Sequence, residues 1–290
     1  MFKGSMVALA TPFRNGKVDE KALKELVEFH IKNGTQALVP CGTTGESPTL
    51  SYAEHEKVIE LTVKYANKRI PVMAGTGANS TEEAIMLTKH AESAGADASL
   101  QVSPYYNRPT QKGLYLHFKA IAESVKIPLI LYNIASRTGV NIEPETFARL
   151  ADIKNIIGVK EASGSLEQMA RIKRVCPKEF LLISGDDALT LPVMAIGGVG
   201  VISVVANIIP KDVAKMCEAF EKGDVKKAEE LHYKMLNLVK AMFVETNPIP
   251  VKTAMGLMKM IDPELRLPLC DMLPENKEKL VKALKEYQLI

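Results

Sequence analysis

Nearly continuous apolar runs recur along the chain about every 20 to 33 residues, at 6–10, 37–41, 70–74, 98–103, 127–133, 155–160, 180–184 and 199–205. Ile127-Pro128-Leu129-Ile130-Leu131-Tyr132 is typical: apolar residues do not alternate with polar ones, as expected of a parallel strand covered on both faces. Between the runs the period changes to that of a helix. From Asp19, Ala22, Leu23, Leu26, Val27, His30 and Ile31 share one face, and the pattern stops at Gly34. Ser51-x-x-Glu54, Ser80-x-x-Glu83 and Ser165-x-x-Gln168 read as capping boxes, and Gly95 ends the helix begun at Ser80.

Eight strand signals, each followed by a helix, predict an α/β fold, a TIM (β/α)8 barrel over residues 1–224. A doubly wound sheet gives no reason for the count of eight. After Gly223-Asp224, Val225, Ala228, Leu231, Met235, Leu238 and Met242 repeat at helical spacing with no strand to follow. This predicts a C-terminal helical domain over residues 225–290.

The 290-residue length is compatible with one large unit or two, and 47% hydrophobic with 24% charged residues is ordinary globular composition. A net charge of +3, with no run of five basic residues, makes nucleic acid a poor partner. Cys41, Cys176, Cys217 and Cys270 lie far apart without a C-x-x-C, which argues against a zinc site or a disulfide framework and suits a reducing cytoplasm. Lys3 with Ala8-Leu9-Ala10 imitates a secretion signal, but the apolar stretch is too short. Residues 188–210 carry no charge, yet Pro192, Gly197, Gly198, Gly200 and Asn207 within them predict helix, turn and buried strand instead of a membrane span.

A TIM barrel places its chemistry at the C-terminal ends of its strands. Those ends are Thr11-Pro12-Phe13, Gly42-Thr43-Thr44-Gly45-Glu46, Gly75-Thr76-Gly77, Ser103-Pro104-Tyr105-Tyr106-Asn107, Tyr132-Asn133, Lys160-Glu161, Gly185-Asp186-Asp187 and a region near Ser203. Lys160 stands out. Strand alternation puts Ile156, Gly158 and Lys160 on one face; if that face is inward, desolvation supplies the neutral amine that Schiff-base chemistry needs. The alternative is a structural ion pair with Asp186 or Glu46. Tyr132, on the neighbouring strand, could relay protons at that amine or simply pack.

The Gly42–Gly45 loop offers hydroxyls and free N–H groups ahead of a helix, suited to a carboxylate or phosphate, or is a plain tight turn. Gly75-Thr76-Gly77 lacks the third glycine and the context of a dinucleotide fingerprint. Arg137 could hold an anion bidentately or be solvated. His30, His55, His90, His117 and His232 fall on predicted helices away from strand ends, without metal-ligand spacing.

These motifs, with Ser136-Arg137-Thr138-Gly139, Gly158-Val159-Lys160-Glu161-Ala162, Gly200-Val201-Ile202-Ser203 and Glu245-Thr246-Asn247-Pro248-Ile249-Pro250-Val251-Lys252, cover nearly the whole chain. Together they resemble the pyruvate-dependent class I aldolases and lyases of the N-acetylneuraminate lyase type, and within them the dihydrodipicolinate synthase family. The resemblance implies a lyase that condenses pyruvate with L-aspartate 4-semialdehyde to 4-hydroxy-tetrahydrodipicolinate, the first committed step of diaminopimelate and lysine biosynthesis, without a metal or cofactor. It implies that Lys160 forms the Schiff base, that Tyr132 is the acid/base, and that Thr43 and a Tyr106 lent by a neighbouring subunit complete a proton relay. Thr44 would bind the pyruvate carboxylate with Thr43, Gly185 and Ile202 would give backbone contacts, and Arg137 would hold the carboxylate of the second substrate.

The resemblance further implies a homotetramer, a dimer of dimers, and an L-lysine effector site at Ser47, Pro48, Tyr52, His55, Asn79, Glu83 and Tyr105. Sialate lyases usually have Ser in place of Thr43 and no arginine matching Arg137, and ketodeoxygluconate-type aldolases usually lack Glu46-Ser47. Ala135 departs from the proline usual in the family, which frees the backbone beside Arg137. A pyridoxal-phosphate barrel enzyme and a catalytically silent barrel are the readings from other classes.

Overall fold

The computed structural model describes residues 2–290. Eight parallel strands form one sheet: β1 (Gly4–Ala8), β2 (Ala37–Val39), β3 (Met73–Gly75), β4 (Ala98–Val102), β5 (Leu129–Asn133), β6 (Ile156–Glu161), β7 (Leu181–Ser184) and β8 (Gly200–Ser203). Their order, β2-β1-β8-β7-β6-β5-β4-β3, is a ring. Its last join, between β2 and β3, is an isolated Leu38–Val72 bridge, with Leu38 N–H donating to Pro71 O at 3.0 Å and Gly75 N–H to Pro40 O at 2.9 Å. Each strand matches a run predicted from the sequence. A two-stranded hairpin, Phe13–Arg14 with Lys17–Val18, has no counterpart in that reading.

The barrel helices are α1 (Glu20–Lys32), α2 (Tyr52–Ala66), α3 (Thr81–Ser93), α4 (Gln111–Ser124), α5 (Pro144–Leu150), α6 (Leu166–Val175), α7 (Thr190–Ala195) and α8 (Pro210–Glu221). The uncharged stretch 188–210 is helix α7, a turn, strand β8 and a 3-10 turn, as the prolines and glycines predict. Three apolar clusters follow from the two-faced strands. Met6, Val39, Met73, Leu100, Ile130, Tyr132, Ile183 and Ile202 fill the barrel interior. A second cluster lies between β5, β6, β7 and α3 to α7. The third joins β1 and β2 to α1, α2 and α8, and extends to α9 (Val225–Ala241), α10 (Ile249–Leu257) and α11 (Pro274–Glu286). The helices beyond residue 224 thus share their apolar core with the barrel wall.

The Ser51–Glu54 capping box is complete. The other two are half formed. Ser80 and Ser165 accept from the N–H groups of Glu83 and Gln168, but those two side chains turn away. Gln168 binds Asn141 and Glu161, and Glu83 accepts from the Tyr52 hydroxyl at 3.3 Å. A better partner displaces the N-cap backbone in both cases.

Candidate active site

Lys160 lies on β6 with Tyr132 opposite it on β5 and Ile183 opposite it on β7. Simple alternation predicts Ile156 on its face. A register shift between Leu129 and Ile130 overturns that: Ile156 joins Val159 in the outer cluster, and Ile157 packs against the interior one. Lys160 still points inward, 6% exposed, with Nζ 4.2 Å from the centroid of the Tyr132 ring. Burial pushes its amine down to about 8; the Asp187 charge opposes that fall, and the Arg137 charge adds to it.

No carboxylate pairs with it among the described residues, so the structural alternative fails on both named partners. Asp186 Oδ1 accepts from Ala188 N–H at 2.8 Å, and Glu46 is held by Lys252 Nζ at 2.5 Å. Asp187, buried, accepts from the N–H groups of Val204 and Val205 at 2.9 and 3.2 Å. Gly185 makes room for the lysine stem: a Cβ there would stand 3.2 Å from Lys160 Cε and 2.7 Å from Ala162 Cβ.

A cavity of about 560 Å³ opens above this point. Thr43, Tyr132 and Arg137 line it, and Lys160 lies behind the Tyr132 wall. Burial raises the Tyr132 phenol above its ordinary range, and the Thr43 hydroxyl and the Arg137 charge pull the other way. The Gly42–Gly45 loop is a hydrogen-bonded turn, with Gly45 N–H on Gly42 O and Glu46 N–H on Thr43 O, both at 3.1 Å. It does not open a helix as predicted; it runs into a 3-10 turn, Ser47–Thr49, and α2 has its own cap at Ser51. Among the described residues the N–H groups of Thr43 and Thr44 find no partner.

Thr44 is buried, and its hydroxyl accepts from Asn247 Nδ2 at 3.1 Å. Arg137 sits in a helical turn, Ala135–Thr138, and its Nη2 donates to Asn247 O at 2.9 Å. Ile202 belongs to the interior cluster with Tyr132. Tyr106 stands apart from this group in the single chain, 91% exposed.

The same cavity continues between Ser47, Pro48, Tyr52, His55, Glu83 and Tyr105. Asn79 is not in its wall; its carbonyl accepts from Asn107 Nδ2. The Glu83 charge raises the Tyr52 phenol, whereas burial is the first cause for Tyr105. His55, predicted to lie away from strand ends, reaches one: its Nε2 is 2.9 Å from Gly75 O.

Sequence reasoning assigned no role to Asn247, Lys252, Asp187 or Arg266. Lys252, wholly buried, is the one charged residue of the largely apolar α10, a signal of the same kind as Lys160. Gly75 and Gly77 have a packing explanation, because a Cβ would come within 2.3 Å of Cys41 O and 2.2 Å of Val102 N. They allow strand ends to close up, in keeping with the rejected dinucleotide reading.

Residues 1–287 match the model of the dihydrodipicolinate synthetase family. The 4-hydroxy-tetrahydrodipicolinate synthase of Thermodesulfovibrio yellowstonii is 60% identical over 290 residues, covering 100% of both chains. Among solved structures, dihydrodipicolinate synthase from Aquifex aeolicus superposes with a TM-score of 0.98 at 52% identity over 99% of each chain. The chloride-inhibited enzyme from Acinetobacter baumannii, complexed with pyruvate, gives 0.98 at 48% identity over all of both chains.

Proposed function

The chain belongs to the dihydrodipicolinate synthetase family, and from that premise we propose that it condenses pyruvate with L-aspartate 4-semialdehyde to 4-hydroxy-tetrahydrodipicolinate, the committing step toward diaminopimelate and lysine. The observation that carries this reading is Lys160: a buried amine at a barrel strand end, free of any ion pair, with its pKa lowered to about 8. At neutral pH a usable fraction is unprotonated.

Lys160 Nζ adds to the pyruvate ketone and water leaves, forming an iminium. That iminium is an electron sink, so a methyl proton can leave to the Tyr132 oxygen, within reach of the amine, as the phenol passes its own hydrogen to the Thr43 hydroxyl, giving an enamine. The enamine carbon attacks the aldehyde, whose oxygen is protonated. The amino group of the added substrate then displaces Lys160, closing the ring and freeing the enzyme. The unengaged N–H groups of Thr43 and Thr44, with their hydroxyls, suit the pyruvate carboxylate, Gly185 beside the Lys160 stem and Ile202 beside Tyr132 are the backbone positions assigned to it, and Arg137 at the cavity wall suits the second carboxylate.

Tyr106, so exposed here, is the residue a neighbouring subunit would lend to the relay with Thr43, in a dimer of dimers. Four unpaired cysteines suit a reducing cytoplasm. For L-lysine as effector, Glu83 is the ammonium partner; its carboxylate is turned toward Tyr52 and the cavity instead of the Ser80 cap.

The deciding experiment is borohydride reduction in the presence of pyruvate, followed by peptide mass analysis. One reduced pyruvyl group per chain on Lys160 is expected, and label elsewhere refutes the assignment. Faster cleavage of a sialic or ketodeoxysugar acid than condensation of the semialdehyde would replace the substrate reading. For the effector, lysine should inhibit wild type at submillimolar concentration and Glu83→Gln far less; an uninhibited wild type at about 10 mM ends that part.

A further inference from the structure

Asn247 touches both halves of the site. It is buried; its Nδ2 donates to Thr44 Oγ1 at 3.1 Å, and its main-chain carbonyl accepts from Arg137 Nη2 at 2.9 Å. Nearby contacts fix the segment that carries it. Five residues on, Lys252 Nζ binds Glu46 Oε1 at 2.5 Å, and Arg266 N–H donates to Glu46 Oε2 at 3.1 Å. Glu46 directly follows the Gly42–Gly45 loop, so that loop and the carboxyl-terminal segment are fastened together at Thr44 and again at Glu46.

A hydroxyl has one hydrogen to give and two lone pairs to receive. The Asn247 amide occupies a lone pair of Thr44, which leaves the Thr44 hydrogen to be donated. No acceptor within the protein takes it among the described residues. The N–H groups of Thr43 and Thr44 are unengaged as well. Two N–H groups and one hydroxyl hydrogen on adjacent residues are therefore left to donate, a set that suits an anionic carboxylate better than a neutral or cationic group.

We propose that Asn247 is a positioning residue for the pyruvate half of the reaction: by donating to Thr44 it fixes that hydroxyl as a donor toward the pyruvate carboxylate. Its carbonyl separately orients Arg137 for the second substrate. The proposal rests on the reading of the Thr43–Thr44 loop given above and adds a polarity to it. The two functions of Asn247 are chemically separable, because one uses the side chain and the other the backbone.

The test compares Asn247→Asp and Asn247→Ala by steady-state kinetics in both substrates. Asp keeps the shape of Asn but can only accept, so it draws the Thr44 hydrogen to itself and places a negative charge beside the carboxylate site. The KM for pyruvate should rise more than about tenfold in Asn247→Asp and about threefold in Asn247→Ala, with the KM for the semialdehyde within about twofold of wild type in both. A packing role predicts the reverse order, since Ala removes more volume than Asp. Wild-type behaviour of Asn247→Asp, a larger loss in Asn247→Ala, or equal changes for both substrates overturns the proposal.

Should Asn247→Asp fail to fold, the Thr44→Val background decides. There Asn247→Ala should change the pyruvate KM by less than about twofold, and full additivity overturns the proposal. Failure of borohydride to trap pyruvate on wild type removes the parent reading and this one together. Intact trapping with a flat Asn247 series removes this one alone.

Discussion

Two lysines are buried among the described residues, one at the C-terminal end of a barrel strand and one at the seam with the C-terminal helices. Lys160 and Lys252 are 6% and 0% exposed, and each ammonium lies over an aromatic ring, Tyr132 at 4.2 Å and Phe13 at 4.3 Å. Burial lowers the pKa of both. They differ in their counter-ions. Lys252 has Glu46 at 2.5 Å, which opposes that fall, while Lys160 has no carboxylate in contact, only Asp187 acting from beyond ion-pair distance. Depth alone therefore does not make a reactive amine; depth without a partner does.

The sharpest way to break this contrast is to replace each lysine with methionine. Lys160→Met should lower turnover by roughly 10⁴-fold or more and abolish trapping of pyruvate. It should also stabilise the fold at pH 7. Unfolded lysine titrates near 10.5 and the folded one near 8, so between those values the unfolded chain holds more protons and stability climbs with pH. Below about 8 the buried ammonium exerts its full penalty, and removing it should gain up to about 3 kcal/mol in urea unfolding. A destabilised Lys160→Met would contradict the assigned burial.

Lys252→Met should do the opposite, costing about 3 to 5 kcal/mol by leaving Glu46 buried without its cation, yet still allowing pyruvate to label Lys160. Adding Glu46→Gln should recover much of the loss; no recovery would mean that the pair is not the cause.

The smallest effect is the finest probe. The rate of pyruvate trapping on wild type should rise about tenfold per pH unit toward about 8 and then level. A rise that continues to 10.5 would place the reactive amine in water.

Lys160 was legible because a strand's period is short and a charge in an apolar run is conspicuous. The eight strands were legible for the same reason, each covered by protein on both faces. Ile156 was misplaced because a bulge depends on how β5 pairs with β6, which no single strand encodes. The Glu46–Lys252 and Thr44–Asn247 contacts join residues more than 200 positions apart. Only the packing of the C-terminal helices back onto the barrel brings them together. The Phe13–Val18 hairpin has two residues per strand, too few to show a period.

The join between β2 and β3 bears on how the molecule breathes. Pro40 and Pro71 stand at this join and have no N–H to offer, so both serve only as acceptors, and the ladder thins to a single bridge where β5 and β6 have five paired positions. Local opening should begin where the fewest bonds must break. Exchange of amide hydrogens into heavy water should therefore be faster at Leu38 and Gly75 than along β5 or β6. The Thr43 loop follows the strand on one edge of that split, and the Lys160 strand lies across the barrel on its most firmly laced wall. One side of the pocket can flex to admit and release small acids while the covalent anchor stays still.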